Sequence, residues 1–240
     1  MGDTLIDYGL VIGVNNNIQF DSRRQVLGMW ESGTATSWTQ YTGGGCGNAY
    51  YHEIDSGRIS AICAVRPPTG DTVCLAPDAC TPAHSVGGLG DVIVQTGTGL
   101  IEYALYSPDT NAHKPLPGWG LVTYGDRGEI VFNSGNKYLK IREIVDVDRN
   151  TLVSAGSVQI EHETENPYYI VPRNIRIIPY NISGNFGACF RTHGVRKLSS
   201  TTAEIKVFSL FGTGPVTGSP RGINPYIGIP NPFRIAICTL

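Results

Sequence analysis

The sequence is short of charge and of long apolar runs. Only 16% of its 240 residues are charged, and the formal net charge is −2. Basic residues form pairs, as at 23–24 and 196–197, rather than the cluster or stripe typical of a nucleic-acid binder. No apolar run approaches the ~20 residues of a transmembrane helix. We therefore predict no nucleic-acid binding and no membrane insertion.

The sequence also lacks the common catalytic motifs. It has no G-x-S-x-G, no GxxxxGK[ST], and no histidine pair of the HExxH kind. His162 stands among Glu161, Glu163 and Glu165, which would share one face of a strand. We interpret that face as solvated rather than as a catalytic carboxylate pair. The prediction is a protein that is not an enzyme.

The N-terminal residues lack the basic and apolar segments of a signal peptide. We expect synthesis in a reducing cytoplasm, which favours free thiols.

Glycine and proline are abundant, at 30 and 15 residues, and hydrophobic residues make up 41%. Glycine and proline together stay below the roughly 25–30% of disordered low-complexity chains. No apolar pattern of helical period lasts for three turns. These features predict a folded all-β chain with little helix and long Gly/Pro-rich loops.

A hairpin pattern occupies residues 119–139, WGLVTYGDRGEIVFNSGNKYL. Its apolar runs flank a turn at 125–128, where Asp and Gly tolerate positive φ. After the hairpin, 138–147 alternates in polarity, which predicts Leu139 and Ile141 inward and Lys140 and Arg142 outward.

The same pattern occurs at residues 8–27, YGLVIGVNNNIQFDSRRQVL. With one extra residue in the later turn, Phe20 matches Phe132, Ser22 matches Ser134 and Leu27 matches Leu139. Seven identities in so short a window indicate an internal duplication. We expect the two segments to form superimposable hairpins with both phenylalanines buried.

This twice-occurring motif resembles a hallmark of small tail and tail-tip proteins of long-tailed bacteriophages. The resemblance covers residues 119–142 and, less closely, 8–30, about a quarter of the chain. It implies a β-rich structural component of the virion tail, near the tip or baseplate, with no catalytic residues. It also implies other tail proteins as partners, a homo-oligomer in the virion, and possible contact with the host cell surface.

The organisation predicted from these motifs is two tandem β-sandwich-like domains. Residues 1–112 would form the first, with a cysteine-containing loop at 66–90, and 113–118 would be a linker. Residues 119–240 would form the second, with an extended C-terminal arm at 212–240. Further strands are predicted at 151–161 and 168–180, where Pro172 and Pro179 confine the strand to an edge or require bulges.

The arm reads GTGPVTGSPRGINPYIGIPNP over 212–232, which excludes a central strand, and FRIAIC at 233–238 predicts a final strand. Such an arm suits either a contact with a neighbouring subunit or a surface loop of its own domain. In the first case Tyr226, Ile227, Ile229 and Phe233 would anchor it. We expect this arm and the 66–90 loop to be ordered by neighbouring chains.

Four of the six cysteines, Cys46, Cys63, Cys74 and Cys80, lie close together in the sequence. A zinc or iron–sulfur site, a Cys74–Cys80 disulfide, and free thiols are the alternatives. The gaps of sixteen, ten and five residues match no C-x2-C pattern, so we predict no cofactor.

Aromatic residues concentrate around a glycine-rich segment: Trp30, Trp38, Tyr41, Tyr50 and Tyr51. Stacked aromatics bind sugars and also build interfaces and cores. The alternative function is therefore a receptor- or glycan-binding module that uses these loops.

Overall fold

The computed structural model describes residues 11–14, 17–21, 27–40, 50–54, 62–70, 74–75, 92–107, 120–124, 128, 130–171, 176–182, 185–213 and 232–240. The predicted linker 113–118 and most of the 66–90 loop and of the arm lie outside these residues.

The described residues form eighteen strands and one short helix, so the all-β prediction is confirmed. The first nine strands are β1 (Val11–Val14), β2 (Asn17–Asp21), β3 (Gly28–Ala35), β4 (Thr39–Gln40), β5 (Tyr50–Glu53), β6 (Ile62–Arg66), β7 (Cys74–Leu75), β8 (Val92–Gln95) and β9 (Ile101–Ser107). The others are β10 (Val122–Tyr124), β11 (Ile130–Asn133), β12 (Lys140–Val147), α1 (Arg149–Ala155), β13 (Ser157–Glu161), β14 (Tyr168–Ile170), β15 (Arg176–Ile182), β16 (Asn185–Lys197), β17 (Thr202–Thr213) and β18 (Phe233–Thr239).

The two motif segments form hairpins of the same register. Val11 pairs with Asp21 in β1–β2, and the matching Val122 pairs with Asn133 in β10–β11. In each ladder the register shifts between the second and the third residue pair, at Ile12/Gly13 and at Thr123/Tyr124. A shared bulge at the same step supports the duplication. We call β1–β9 the first repeat and β10–β18 the second.

The correspondence extends beyond the hairpins. β3 pairs with β9 from Gly28↔Ser107 to Ala35↔Ile101, with a bulge between Met29 and Glu31. β12 pairs with β18 from Lys140↔Thr239 to Val147↔Phe233, with a bulge between Ile141 and Glu143. Both ladders have seven pairs and a bulge at the same step. The strand pairs are therefore structural counterparts, with Gly28 matching Lys140 and Ile101 matching Phe233.

Strands of both repeats share each large sheet. One sheet has the order β12-β18-β14-β6-β9-β3, in which β14 meets β6 through Tyr169↔Val65. The other has the order β13-β17-β16-β7-β8-β5-β4, with β15 added beside β16. Apart from β4 and β15, the strands of the two repeats, matched by their order along the chain, occur in mirrored order about the β14/β6 and β16/β7 junctions. This is the arrangement of two repeats related by a local twofold axis.

The main core lies between the two sheets and draws on both repeats. Buried side chains of β3, β6, β8 and β9 belong to the same cluster as those of β12, β13, β14, β16, β17 and β18. The strands thus do not sort into the two predicted tandem sandwiches. The described residues form one sandwich whose sheets continue from one repeat into the other, because the edges of β6 and β14 satisfy each other's backbone.

The six-stranded sheet is strongly coiled. β3 and β12 are its edges and run in opposite directions, and a flat sheet would separate them by about 24 Å at ~4.8 Å per strand. Nevertheless Gly28 pairs with Tyr138, and the Leu139 amide donates to the Leu27 carbonyl over 3.3 Å. Two diagonal corners therefore fold over the face opposite the main core, which we call the outer face. The matching residues Leu27 and Leu139 pair where the corners meet.

That fold creates a second, smaller core. Ala64, Ala104, Tyr106, Tyr168 and Cys238 are buried on the outer face, and Leu27, Met29 and Leu139 pack against them. Since Ala64 and Ala104 are small, the corners can approach the sheet closely.

The strand predicted at 151–161 is wrong for its first half. Residues 149–155 form α1, whose N-cap Asp148 accepts hydrogen bonds from the Thr151 amide and hydroxyl at 2.9 and 2.8 Å. Gly156 ends the helix with φ of 75°. These are the usual start and stop of a short helix. The single strand predicted at 168–180 is two strands. β14 lies between β18 and β6 inside its sheet, whereas β15, which contains Pro179, has the expected edge position and pairs with β16 alone among the described strands.

Candidate assembly surface

Exposed apolar side chains are concentrated in the second repeat. Among the described residues, six large hydrophobic side chains are exposed, and only Leu100 belongs to the first repeat. The other five are Leu121, Tyr124, Ile141, Ile144 and Leu240. Single exposed hydrophobics are normal, but two exposed isoleucines on one edge strand, Ile141 and Ile144, need a reason.

Strand β12 contributes two of them. Ile144 lies opposite Ala236 and is 62% exposed, and Ile141 lies opposite Cys238 and is 52% exposed. Both positions are on the outer face, since Cys238 belongs to the core there. The inward position predicted for Ile141 is wrong, because β12 is an edge strand whose bulge at Arg142 interrupts the simple alternation. The counterpart of Ile144 in β3 is Ser32, which is also exposed.

The second hairpin contributes Leu121 and Tyr124, which are 45% and 63% exposed. Ser134 locks its base: the Leu121 amide donates to Ser134 Oγ over 2.9 Å, and the Ser134 amide donates to the Leu121 carbonyl over 2.8 Å. Asn133 Oδ1 accepts from the Gly135 amide at 2.9 Å. These contacts explain why the motif carries Asn-Ser after its last strand.

Phe132 is half-buried rather than enclosed in a core. Its ring stacks on Tyr138 with centroids 5.1 Å apart. The Tyr138 hydroxyl donates to the Asn133 carbonyl over 2.7 Å. The predicted burial of Phe132 is therefore only partial. The side chain of Phe20 lies outside the described residues.

A polar network crosses the centre of the outer face. Arg66 forms an ion pair with Glu102, and its guanidinium lies 4.6 Å from the centroid of the Tyr168 ring. The Tyr168 hydroxyl donates to the same Glu102 carboxylate over 3.1 Å. The network joins β9 and β6 of the first repeat to β14 of the second. It therefore holds the junction between the repeats together.

Asn166 extends this network to the other sheet. Its backbone has φ of 48°, in the left-handed region that asparagine tolerates. Its carbonyl accepts from Arg66 at 3.3 Å, and its Oδ1 accepts from Lys197 Nζ at 2.7 Å. Desolvation lowers the pKa of Lys197, as does the nearby Arg66. A buried lysine beside an arginine is costly unless it is hydrogen-bonded, as Lys197 is here to Asn166.

Glu143 fastens the loop after β13 to the edge strand β12. Its carboxylate accepts from the Glu163 amide at 3.1 Å, and from the Thr164 amide and hydroxyl at 2.9 and 2.7 Å. Burial raises the pKa of Glu143, but the hydrogen bonds from Thr164 and Glu163 outweigh burial and hold it below its ordinary value.

The hydrogen bonds from Glu163 and Thr164 to the Glu143 carboxylate, which we call the Glu143 clamp, predict a pH dependence of stability. Because the folded-state pKa of Glu143 is depressed, its contribution is present above the unfolded value of about 4.3 and is lost as pH falls through the folded value. We expect the unfolding free energy of the wild type to fall more steeply in acid than that of Glu143→Gln. Urea titrations at a series of pH values measure this slope. Glu161→Gln, which also removes one exposed charge, is the control, and equal slopes in both variants would contradict the clamp.

The glutamates around His162 are solvated, as predicted. Glu161, Glu163 and Glu165 are exposed, whereas His162 is buried. His162 Nδ1 lies 2.8 Å from the Thr164 carbonyl, and Nε2 lies 2.8 Å from the Tyr169 hydroxyl. The carbonyl requires a proton on Nδ1, so Nε2 accepts from Tyr169. The histidine thus has a structural role in turning the chain.

The predicted aromatic residues do not form one platform. Trp30 and Trp38 are partly buried against the main core. Trp38 lies 5.8 Å from the ring of His52, and His52 Nδ1 is bound to the Ser37 carbonyl at 3.0 Å. Tyr50 and Tyr51 are consecutive in β5, so their side chains point to opposite faces of the sheet. Tyr41 lies outside the described residues.

The predicted cysteine set is separated between the two sheets. Cys63 is in β6 and buried in the main core, and Cys74 is in β7 of the other sheet. Cys46 and Cys80 lie outside the described residues. Within the described ranges, no three His, Cys, Asp or Glu side chains are grouped closely enough to hold a metal ion.

The arm residue Phe233 is not an interface anchor. It is 1% exposed, belongs to the main core, and its ring centroid lies 5.2 Å from that of His193. The prediction failed because Phe233 begins β18 and takes the inward position opposite Val147. The other three predicted anchors, Tyr226, Ile227 and Ile229, lie outside the described residues.

In the part of the chain that the structure describes, no helix is long and apolar enough to cross a membrane. A scan against protein-family models and searches of curated proteins and of solved structures each found no match.

Proposed function

We propose that this protein is a structural component of a bacteriophage tail, near the tip or baseplate, that works through contacts with other subunits. The observation that carries the proposal is the pair of exposed isoleucines on the edge strand β12, where Ile144 replaces the exposed serine of the counterpart strand β3. The resemblance of the twice-occurring hairpin motif to tail proteins indicates which assembly these contacts serve.

The comparison of Ile144 with Ser32 gives the physical argument. Both residues lie opposite an alanine on the same face of counterpart strands. Since Ser32 satisfies the fold at this position, folding does not require an isoleucine there. Covering Ile144 and Ile141 by another chain would remove apolar surface from water at about 25 cal/mol per Å². An assembly contact therefore accounts for these residues better than folding does.

The glycan-binding alternative receives less support. A sugar-stacking site needs aromatic faces that are exposed and oriented together. Trp30 and Trp38 rest against the core, and Tyr50 and Tyr51 diverge. Attachment to the host surface remains part of the proposal.

The test is whether purified phage particles that encode this chain contain it. Mass spectrometry of particles should find the chain at a fixed number of copies, and an antibody against it should label the tail in electron micrographs. Detection only in the lysate, with unlabelled particles, would contradict the proposal. Specific binding on a glycan array by the isolated chain, without particle association, would favour the alternative.

A further inference from the structure

The exposed edge strand β12 carries a self-complementary pattern of charge. From 140 to 148 the sequence reads KIREIVDVD, with Lys140 and Arg142 before Ile144 and with Asp146 and Asp148 after it. All four charged residues and Ile144 are exposed. In the sequence, each basic residue has an acidic residue the same number of positions away on the other side of Ile144.

A twofold interface requires this kind of pattern. When two identical strands pair antiparallel about a twofold axis, the residue on the axis meets its own copy, and residues equally spaced on either side meet each other. With Ile144 on the axis, Arg142 lies opposite Asp146 of the second copy. Lys140 lies beyond the bulge and Asp148 is the N-cap of α1, so the register rests on the Arg142–Asp146 couple. A shift of two residues either way separates Arg142 from Asp146. The charges therefore favour one register.

The described residues leave this edge open for such pairing. Among them, β12 pairs with β18 alone, and none gives its other side a backbone partner between Lys140 and Val147. Asp146 is held in place by Arg234, at 3.0 Å, with a side chain that is still 54% exposed. The bulge at Arg142 and the charges would hinder most strand additions, but in this register the charges attract.

We infer that β12 forms an interface between two copies of this chain. The β12 strands of the two copies pair antiparallel about the twofold axis of the dimer, so that the six-stranded sheet continues from one copy into the other. Ile144 meets its copy, and Ile141 extends the apolar strip. The inference rests on the proposed assembly function and names the occupant of its surface. The same antiparallel edge pairing already joins the two repeats inside the chain, at Tyr169↔Val65.

The first test is the oligomeric state of the full chain by sedimentation velocity. The wild type should form a concentration-dependent dimer. Ile144→Asp places two carboxylates on the axis and should weaken dimerisation about tenfold or more. Ser32→Asp, the same change at the counterpart position in β3, should leave the dimer unchanged. Thermal melting of each variant separates loss of association from loss of folding.

The second test exchanges charges between copies. In Arg142→Asp, the new aspartate faces Asp146 of the second copy, so two negative charges meet. In Asp146→Arg, the new arginine faces Arg142 of the second copy, so two positive charges meet. Each variant should therefore be monomeric. An equal mixture should recover a mixed dimer, because every couple is then opposite in sign. This recovery requires position 142 of each copy to face position 146 of the other, as it does in an antiparallel β12 pair centred on Ile144.

A chain that stays monomeric at its highest soluble concentration would overturn the inference and leave this surface to a different tail protein. A dimer that tolerates Ile144→Asp, or variants that fail to recover on mixing, would also overturn it. These results are independent of the particle analysis, so the inference can fail while the proposed function stands.

Discussion

Replacing Ile237 by alanine is expected to shift the unfolding seen by Trp30 and Trp38, although both tryptophans lie in the other repeat. Ile237 is fully buried in β18 and belongs to the same core as residues of β3 and β9. Truncating a buried isoleucine costs about 2–5 kcal/mol. If the sheets form one sandwich, the whole cost appears in a single cooperative transition.

The measurement is urea unfolding followed by tryptophan fluorescence and by circular dichroism. A Trp119→Phe background leaves Trp30 and Trp38 as the only tryptophans, both in the first repeat. Fluorescence and circular dichroism should show the same midpoint in the parent and move together in Ile237→Ala. At protein concentrations below dimerisation, Ile144→Ala, a change at an exposed isoleucine of the same repeat, should shift the midpoint little. Two separate transitions, with fluorescence unaffected by Ile237→Ala, would restore the tandem-domain interpretation.

The duplication was predictable from sequence, whereas the way the repeats combine was not. Phe20, Phe132 and their flanking residues carry a local pattern that fixes the register of each hairpin. The pairing of Tyr169 with Val65 joins strands about a hundred residues apart. Any strand edge presents similar backbone groups, so the sequence holds no local signal for which edges meet. Tandem domains were the default interpretation for that reason.

Some features were missed although the sequence does contain their signal. Asp148 and Gly156 are the start and stop signals of a short helix, with Thr151 three residues after the N-cap. The sequence criterion for a helix, an apolar pattern that lasts for three turns, cannot be met by a helix of seven residues, which has only about two turns. The charge order around Ile144 was likewise visible, but it acquires meaning only once β12 is known to be an edge strand.

Phe233→Ala gives the sharpest distinction between a core residue and an interface residue. Phe233 is 1% exposed and packs between the sheets, so its truncation should cost about 3–5 kcal/mol in the isolated chain. An interface residue would instead leave the stability of the monomer near that of the wild type and weaken association. Its counterpart Ile101 is also fully buried, which shows that the position is internal in both repeats.

Leu240→Ala is the matched control, because Leu240 follows the other end of the same strand and is 36% exposed. We expect that variant to lie within about 0.5 kcal/mol of the wild type. Chemical denaturation at a concentration below dimerisation measures both variants. A small effect of Phe233→Ala on unfolding, together with a loss of self-association, would place Phe233 in a contact between chains. A large effect on unfolding assigns the start of β18 to the core and removes Phe233 from the assembly surface.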